Sequence, residues 1–273
     1  MKEILYDEIK SIQLDILCAV DEFCEKHNIR YSLAYGTLIG AIRHKGYIPW
    51  DDDIDIMMPR VDYDRFISSF NGSYEHISLM SPELDKSYYS PFANVFDNRT
   101  LLLEGTNGHR GINIGVKIDV FPIDYVSSDI RRYVREMQKV DKYNYILYIK
   151  RLEALLKSSF SYKKLIRICL QKILYCCLPY QYLQDKIHKV AVNHLYFNSE
   201  YVDNVVYNIY SKKCTRFKAS LLESYTKVNF EGKNYSVIME YDELLRIIYG
   251  DYMRLPPEDK RVPHHDFKAY WQE

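Results

Sequence analysis

Residues Tyr35–Ile56 read YGTLIGAIRHKGYIPWDDDIDI, a Gly-Thr pair followed by a cationic stretch and then by clustered aspartates. The aspartates occupy positions 51, 52, 53 and 55. Adjacent carboxylates repel one another and aspartate disfavours β-strands, so this cluster beside apolar residues is not explained by stability. A bound divalent cation is the simplest physical reason for it.

The spacing of the last two aspartates predicts a strand that presents both carboxylates on one face. In Asp53-Ile54-Asp55-Ile56, period-2 alternation points the isoleucines into a core. A third acid, Asp119, also lies between apolar residues, and we interpret its segment as a neighbouring strand. Oxygen ligands of this kind suit Mg²⁺ or Mn²⁺ better than zinc. The spacing therefore predicts a metal site at Asp53 and Asp55 that Asp119 completes.

The Gly36-Thr37 turn follows an apolar run and precedes a segment, Leu38 to Ile42, that is expected to open a helix. Free backbone N–H groups at such a helix start bind phosphate. An acidic surface loop with an incidental glycine turn is the alternative. The order of Gly-Thr, Asp-x-Asp and a later lone Asp disfavours that alternative.

Further candidates for substrate binding flank the aspartates. Arginine grips phosphate through two nitrogens and lysine acts as a point charge, so the basic residues between Gly-Thr and the acids are suited to a pyrophosphate. A solvated basic turn, a structural histidine and a core tryptophan are the competing interpretations. The candidates are Arg43, His44, Lys45, Trp50, Asp52, Arg261, His264 and His265.

Composition favours a soluble intracellular enzyme. Of the 273 residues, 47% are hydrophobic, and 37 basic residues balance 37 acidic ones. A net charge of zero argues against general nucleic-acid binding. The N-terminus lacks the features of a signal peptide, and no apolar run reaches the roughly 18 residues of a membrane span. We therefore expect a cytoplasmic protein, with the inner face of the membrane as a further expected location.

Charge is unevenly distributed, because residues 128–190 contain 14 Lys or Arg against 5 Asp or Glu. Helical spacing predicts three helices in this region, over residues 131–157, 162–177 and 181–197. A basic helix with apolar residues on its other face is typical of contact with an anionic membrane. We favour the alternative, a helical subdomain that packs on the core and exposes a solvated basic face.

The remaining pattern predicts an α+β fold, in which a mixed β-sheet core is flanked by helices and a helical subdomain is added. We divide the chain into a catalytic core (1–127), a basic helical subdomain (128–200) and a C-terminal segment that completes the active site (201–273). Predicted helices cover residues 2–26, 62–70 and 241–249. Predicted strands lie near residues 31–34, 77, 93–96, 100–103 and 116–120, with a hairpin over 227–239.

Three blocks of this sequence resemble the LicD family. They are Gly36 to Gly46 with Ile48 to Asp55, then Lys117 to Asp124, and then Tyr249 to Met253 with Leu255 to Pro257 and Arg261 to His265. The resemblance implies a nucleotidyltransferase-type fold related to the fukutin group. It also implies transfer of phosphocholine, or another phospho-alcohol, from a CDP-linked donor to a glycan or lipid-linked glycan, with Gly36 and Thr37 on the donor phosphate. Asp53, Asp55 and Asp119 would then form the metal and catalytic triad. In such a transfer we expect Asp119 to orient or accept the proton of the acceptor hydroxyl.

Three functions remain open on the sequence. The first is a Mg²⁺-dependent phosphotransferase that uses a CDP-alcohol and a cell-surface glycan such as capsule, teichoic acid or lipopolysaccharide. The second is a nucleotidylyltransferase with the same triad, which would release pyrophosphate. The third is a non-catalytic binder of glycan or nucleotide, which the costly clustering of carboxylates disfavours.

Overall fold

A five-strand path forms the centre of the computed structural model, which describes residues 1–104, 114–151, 162–175, 177–193, 196–207, 214–262 and 267–272. Its strands are β2 (Ser32–Leu33), β3 (Asp55–Pro59), β4 (Ile77–Met80), β5 (Ala93–Asp97) and β7 (Lys117–Val126). They run in the order β2, β3, β7, β5, β4. Strands β3 and β7 are parallel and the other neighbours on this path are antiparallel. The mixed sheet confirms the predicted α+β class.

Two smaller sheets surround this core. A three-stranded sheet pairs β1 (Lys2–Ile4), β12 (Phe267–Trp271) and β6 (Thr100–Glu104) in that order. The hairpin of β10 (Tyr225–Phe230) and β11 (Lys233–Ile238) confirms the predicted one. Its two-residue turn has positive φ at Glu231 (49°) and Gly232 (83°), the backbone of a tight hairpin.

Two sequence predictions need correction here. Residues 2–4 form a strand, whereas we predicted that the first helix begins at Lys2. The strand predicted at 100–103 exists, but it pairs with the last strand of the chain rather than with the central sheet. Both errors have the same cause, because pairing between distant ends of a chain leaves no local periodicity to detect.

The first helix, α1 (Tyr6–His27), packs against the central sheet through one apolar stripe. Its C-cap residue, Asn28, has a left-handed backbone (φ 51°) that closes the last turn. Helices α2 (Tyr35–Arg43) and α3 (Arg60–Ser69) follow β2 and β3, and α7 (Tyr241–Tyr249) ends at Gly250 as predicted. The stripe on α1 consists of the buried residues Ile9, Ile12, Ile16, Val20 and Phe23.

The basic region contains the helices α4 (Ile130–Arg151), α5 (Tyr162–Tyr175) and α6 (Tyr180–Ala191). Pro179 is the N-cap of α6, as a proline that separates two helices should be. After α6 the chain returns to the core, where β8 (Tyr201–Asp203) pairs with the second half of β7 and with β9 (Phe217–Lys218). The division into three regions remains a prediction. Among the described residues, no helix combines the length and apolar character needed to cross a bilayer.

Candidate active site

Three adjacent strands place polar side chains in one row across the sheet. In the parallel pair β3·β7, Asp55 lies opposite Asp119, and in the antiparallel pair β5·β7 Asn94 lies opposite Asp119. Side chains at paired positions share a face of the sheet. Two of the three predicted acids, Asp55 and Asp119, are therefore brought together at the start of two parallel strands.

Asp119 is held by two neighbours. Its Oδ1 accepts hydrogen bonds from Lys117 Nζ at 2.6 Å and from Asn94 Nδ2 at 2.5 Å. Asn94 in turn accepts a hydrogen bond from the hydroxyl of the fully buried Tyr88 through its Oδ1. None of the described residues hydrogen-bonds Asp119 Oδ2, so that oxygen can serve a metal ion or a substrate hydroxyl.

The preceding aspartates converge on the same corner. Carboxylate oxygens of Asp51, Asp52 and Asp53 lie within 4.8 Å of one another. Asp51 and Asp52 are buried and Asp53 is half-buried. Strand β3 begins only at Asp55, so the predicted strand alternation of Asp53 with Asp55 is wrong at its first residue. The three acids lie on the loop that leads into the strand.

Residues of helix α1, together with Tyr47, hold the backbone of this loop. Gln13 Nε2 donates to the carbonyl oxygens of Asp52 at 3.0 Å and Lys117 at 3.4 Å, which ties the loop to β7. The hydroxyl of Tyr47 donates to Gln13 Oε1 at 3.0 Å, and the hydroxyl of Tyr6 donates to the Asp51 carbonyl at 2.8 Å. The backbone of the acidic loop is thus fixed by neutral side chains, while its carboxylates stay close together.

The electrostatics of the corner fit a divalent cation. Burial raises the pKa of Asp55 well above its ordinary value, and the charges of Asp53, Asp119 and Asp51 raise it further, whereas Lys117 opposes them. Among the described residues, five carboxylates at this corner outnumber two nearby ammonium groups, Lys117, which is ion-paired to Asp119, and Lys10, which interacts with the charges of Asp51 and Asp52. Hard oxygen donors with excess negative charge are the ligand set that Mg²⁺ and Mn²⁺ prefer. The residues therefore fit the expected metal.

Gly36 and Thr37 lie in the first turn of α2 rather than in a turn before it. A Cβ at Gly36 would be 2.5 Å from Asp51 Oδ2, so the carboxylate of Asp51 rests against the glycine at the positive end of the helix. The hydroxyl of Thr37 accepts the backbone N–H of Asp55 at 2.8 Å. Both residues thus position acids of the site, and their contact with donor phosphate remains a prediction.

Replacement of Gly36 by alanine is expected to lower the transfer rate by about 100-fold, because the new methyl group displaces the Asp51 carboxylate. The measurement is a double-mutant cycle with Asp51→Ala. If contact with Asp51 is the cause, Gly36→Ala costs little further activity in the Asp51→Ala background. An equal loss in both backgrounds would contradict this explanation.

Tyr35, the residue before Gly36, has a strained backbone with a φ of +46°. Its hydroxyl accepts a hydrogen bond from Asn204 Nδ2 at 2.8 Å, and its ring packs edge-on against Phe121 at 5.3 Å between centroids. The backbone N–H of Asn204 donates to Asp203 Oδ1 at 2.9 Å. Asn204 therefore holds the residue at which α2 begins.

Asp203 gives this support a pH dependence. Burial raises its pKa to about 6, although hydrogen bonds from Tyr133, Thr215 and the backbone of Asn204 partly offset the increase. The folded protein binds this proton more tightly than the unfolded chain, so the free energy of unfolding falls as pH rises from about 4 to about 6. The expected decrease from this group is about 2–3 kcal/mol.

Urea unfolding of the wild type and of Asp203→Asn between pH 4 and pH 7 measures this contribution. The variant is expected to lose the Asp203 part of the pH slope, whereas the exposed control Asp251→Asn keeps the wild-type slope. Identical slopes in the wild type and Asp203→Asn would contradict the assignment.

Three predicted substrate-binding residues, Arg43, His44 and Arg261, contact Tyr252, Trp50 or one another. Arg43 donates from Nη1 to the carbonyl of Tyr252 at 2.6 Å and from Nε to His44 Nε2 at 2.9 Å. The guanidinium of Arg261 lies 5.7 Å from the Trp50 ring centroid, and the His44 ring lies 6.5 Å from it. Two residues of the C-terminal block, Tyr252 and Arg261, thus contact residues of the first block.

The remaining predicted basic residues are not all placed by the structure, and their exposure and charge differ. Lys45 is exposed and has a positive φ of 62°. Burial lowers the pKa of His44, and the charge of Arg43 lowers it further, so this histidine is neutral near pH 7. His264 and His265 lie outside the described residues. Binding of substrate by any of these side chains remains a prediction.

Sequence reasoning missed four residues that shape the site. Asn94 and Lys117 hold Asp119, Gln13 ties the acidic loop to β7, and Asn204 holds Tyr35. A signal existed for Asn94, a polar residue between apolar neighbours in a predicted strand. Lys117 stands two residues before Asp119 and so shares its face of the strand. Gln13 and Asn204 depend on long-range packing that carries no local signal.

The sequence of this chain is similar to one family model and to several known proteins. A family model described as LicD/FKTN/FKRP, nucleotidyltransferase domain, matches residues 28–102, which include α2, the aspartate loop and Asn94. The chain is 31% identical over 278 residues to the lipopolysaccharide cholinephosphotransferase LicD of Haemophilus influenzae, with 99% of each chain covered. It is also 42% identical over 57 residues to an uncharacterized protein of Rickettsia typhi, across 20% of this chain and 18% of that protein.

Proposed function

Since the chain belongs to the LicD family, we propose that it is a phosphotransferase that moves phosphocholine from CDP-choline to a hydroxyl of a cell-surface glycan. Lipopolysaccharide is the acceptor class that the name of the Haemophilus influenzae relative supports. The observation that carries the proposal is the convergence of Asp55, Asp119 and the 51–53 loop at the start of two parallel strands.

The chain's own residues divide the work. Asp53 and Asp55, with the neighbouring loop acids, would hold Mg²⁺, which when bound neutralises charge on the donor phosphates. Asp119 would orient or accept the proton of the acceptor hydroxyl, because Lys117 and Asn94 occupy only its Oδ1. Arg43 and Arg261 would bind the pyrophosphate of the donor.

The leaving group needs little help from the protein. A phosphate monoester such as CMP has a second pKa near 6, so it leaves as a stable anion at neutral pH. Catalysis in this type of reaction consists mainly of positioning and charge stabilisation. The rigid loop that Gln13, Tyr6 and Tyr47 support is suited to that task.

A donor panel tests the proposal. The pure protein is incubated with Mg²⁺, with lipopolysaccharide that lacks phosphocholine, and with CDP-choline, CDP-ethanolamine, CDP-glycerol or CDP-ribitol. We expect acceptor-dependent release of CMP from CDP-choline. Release of CMP from another donor alone would show that the protein transfers a different phospho-alcohol. A parallel incubation with CTP and phosphocholine that releases pyrophosphate would indicate the nucleotidylyltransferase that the fold also allows.

A further inference from the structure

Helix α5 presents an apolar stripe to solvent. The exposed fractions are 43% for Ile166, 62% for Leu170, 70% for Ile173 and 69% for Leu174. These positions are spaced i, i+4, i+7 and i+8, so they lie on one face of the helix. Single exposed apolar residues are ordinary on protein surfaces, but a continuous helical stripe of four large ones marks an interaction surface.

The orientation of this stripe is set by packing on the opposite side of the helix. Ile168 is buried, 4% exposed, against Ile149 of α4. Gln171 Oε1 accepts a hydrogen bond from the hydroxyl of Tyr145 on α4 at 3.1 Å. Tyr175 also packs against the Ile149–Ile168 pair. These contacts fix the helix with its apolar stripe facing outward.

The charge of α5 selects the partner. Its sequence, YKKLIRICLQKILY, contains four basic residues and no acidic one. An apolar stripe within a basic helix fits an anionic lipid surface, where apolar burial and electrostatic attraction add together. A second copy of the chain fits poorly, because pairing two such helices would bring like charges together. We propose that α5 lies in the interface of an anionic membrane and binds this protein to it.

The sequence left open a helical subdomain with a solvated basic face, which we favoured, and contact with an anionic membrane. The exposed stripe of Ile166, Leu170, Ile173 and Leu174 on α5 favours the second. A helix of 14 residues is about 21 Å long and too short to span a bilayer, so the expected orientation is parallel to the membrane surface.

Vesicle co-sedimentation of the full chain tests the proposal without any substrate. The vesicles contain phosphatidylcholine alone or phosphatidylcholine mixed with phosphatidylglycerol. We expect binding to the mixed vesicles, weaker binding at high salt and little binding to the neutral ones. Leu170→Gln/Leu174→Gln should lower the partition coefficient by about tenfold or more. The control Leu84→Gln/Leu255→Gln changes two exposed leucines outside α5 and should bind like the wild type.

Two results would overturn the proposal. One is a wild type that does not bind mixed vesicles, including the case where light scattering shows that the wild type is a dimer and the Leu170→Gln/Leu174→Gln variant is a monomer. The other is equal binding by the α5 variant, the control and the wild type. Circular dichroism checks that each variant is folded, and Lys163→Gln/Lys164→Gln provides a second variant that should weaken binding through charge alone. Since no donor or acceptor is present, failure here leaves the proposed enzymatic function untouched.

Discussion

Asp119→Asn is expected to lower the rate of phosphocholine transfer by about 10²–10⁴-fold. Asparagine has nearly the same shape as aspartate, so Oδ1 can still accept the hydrogen bonds of Lys117 and Asn94. What is lost is the negative charge and the basic oxygen that would face the acceptor hydroxyl in the proposed mechanism. The chemical step should therefore slow much more than donor binding weakens.

The measurement is CMP release under saturating CDP-choline and Mg²⁺, together with the Kd for Mg²⁺ by calorimetry. Asp97→Asn serves as a matched control, because Asp97 is also a buried acid on this sheet but is paired with Arg99 instead. We expect near-normal activity in the control. Normal activity in Asp119→Asn would remove Asp119 from the mechanism.

Removal of divalent cations is expected to abolish transfer entirely, the second large effect. The carboxylates of the 51–55 region and Asp119 repel one another and the donor phosphates unless a cation lies between them. Dialysis against EDTA should reduce CMP release to background, and Mg²⁺ or Mn²⁺ should restore it. Full activity in the chelated protein would contradict the metal site.

The metal site should also affect the free energy of unfolding. Ionised Asp55 is expected to destabilise the metal-free protein and to stabilise the metal-bound protein. An ionised Asp55 costs the metal-free fold free energy, since burial and neighbouring carboxylates raise its pKa. Asp55→Asn should therefore raise the Tm of the chelated protein while it abolishes activity, and each kcal/mol is worth about 2–4 °C in a chain of this size. Added Mg²⁺ should raise the Tm of the wild type but not that of the variant. A lower Tm for the chelated variant would show that Asp55 is structural.

Much of the site was predictable because its signals are local. Asp55 and Asp119 stand out as charges between apolar strand residues, and the structure places them side by side. The hairpin and α7 were also correct, since tight turns and a 3.6-residue period are written in neighbouring positions. The contact of Arg261 with Trp50 carries no local signal and was not predicted.

What could not be predicted depends on long-range packing. The pairing of β1 with β12 joins the two ends of the chain, and Asn204 reaches Tyr35 across 169 positions. The burial of Asp51 against Gly36 also requires knowledge of where the loop turns after the helix. Local patterns specify which residues are unusual, but the fold decides which of them meet.

The most direct test of the proposed function is the mass of the acceptor glycan after incubation with CDP-choline and Mg²⁺. We expect a mass increase of one phosphocholine group for each CMP released with the wild type, and no increase with Asp55→Asn or Asp119→Asn. An acceptor of unchanged mass in the presence of wild-type protein, donor and metal would contradict it.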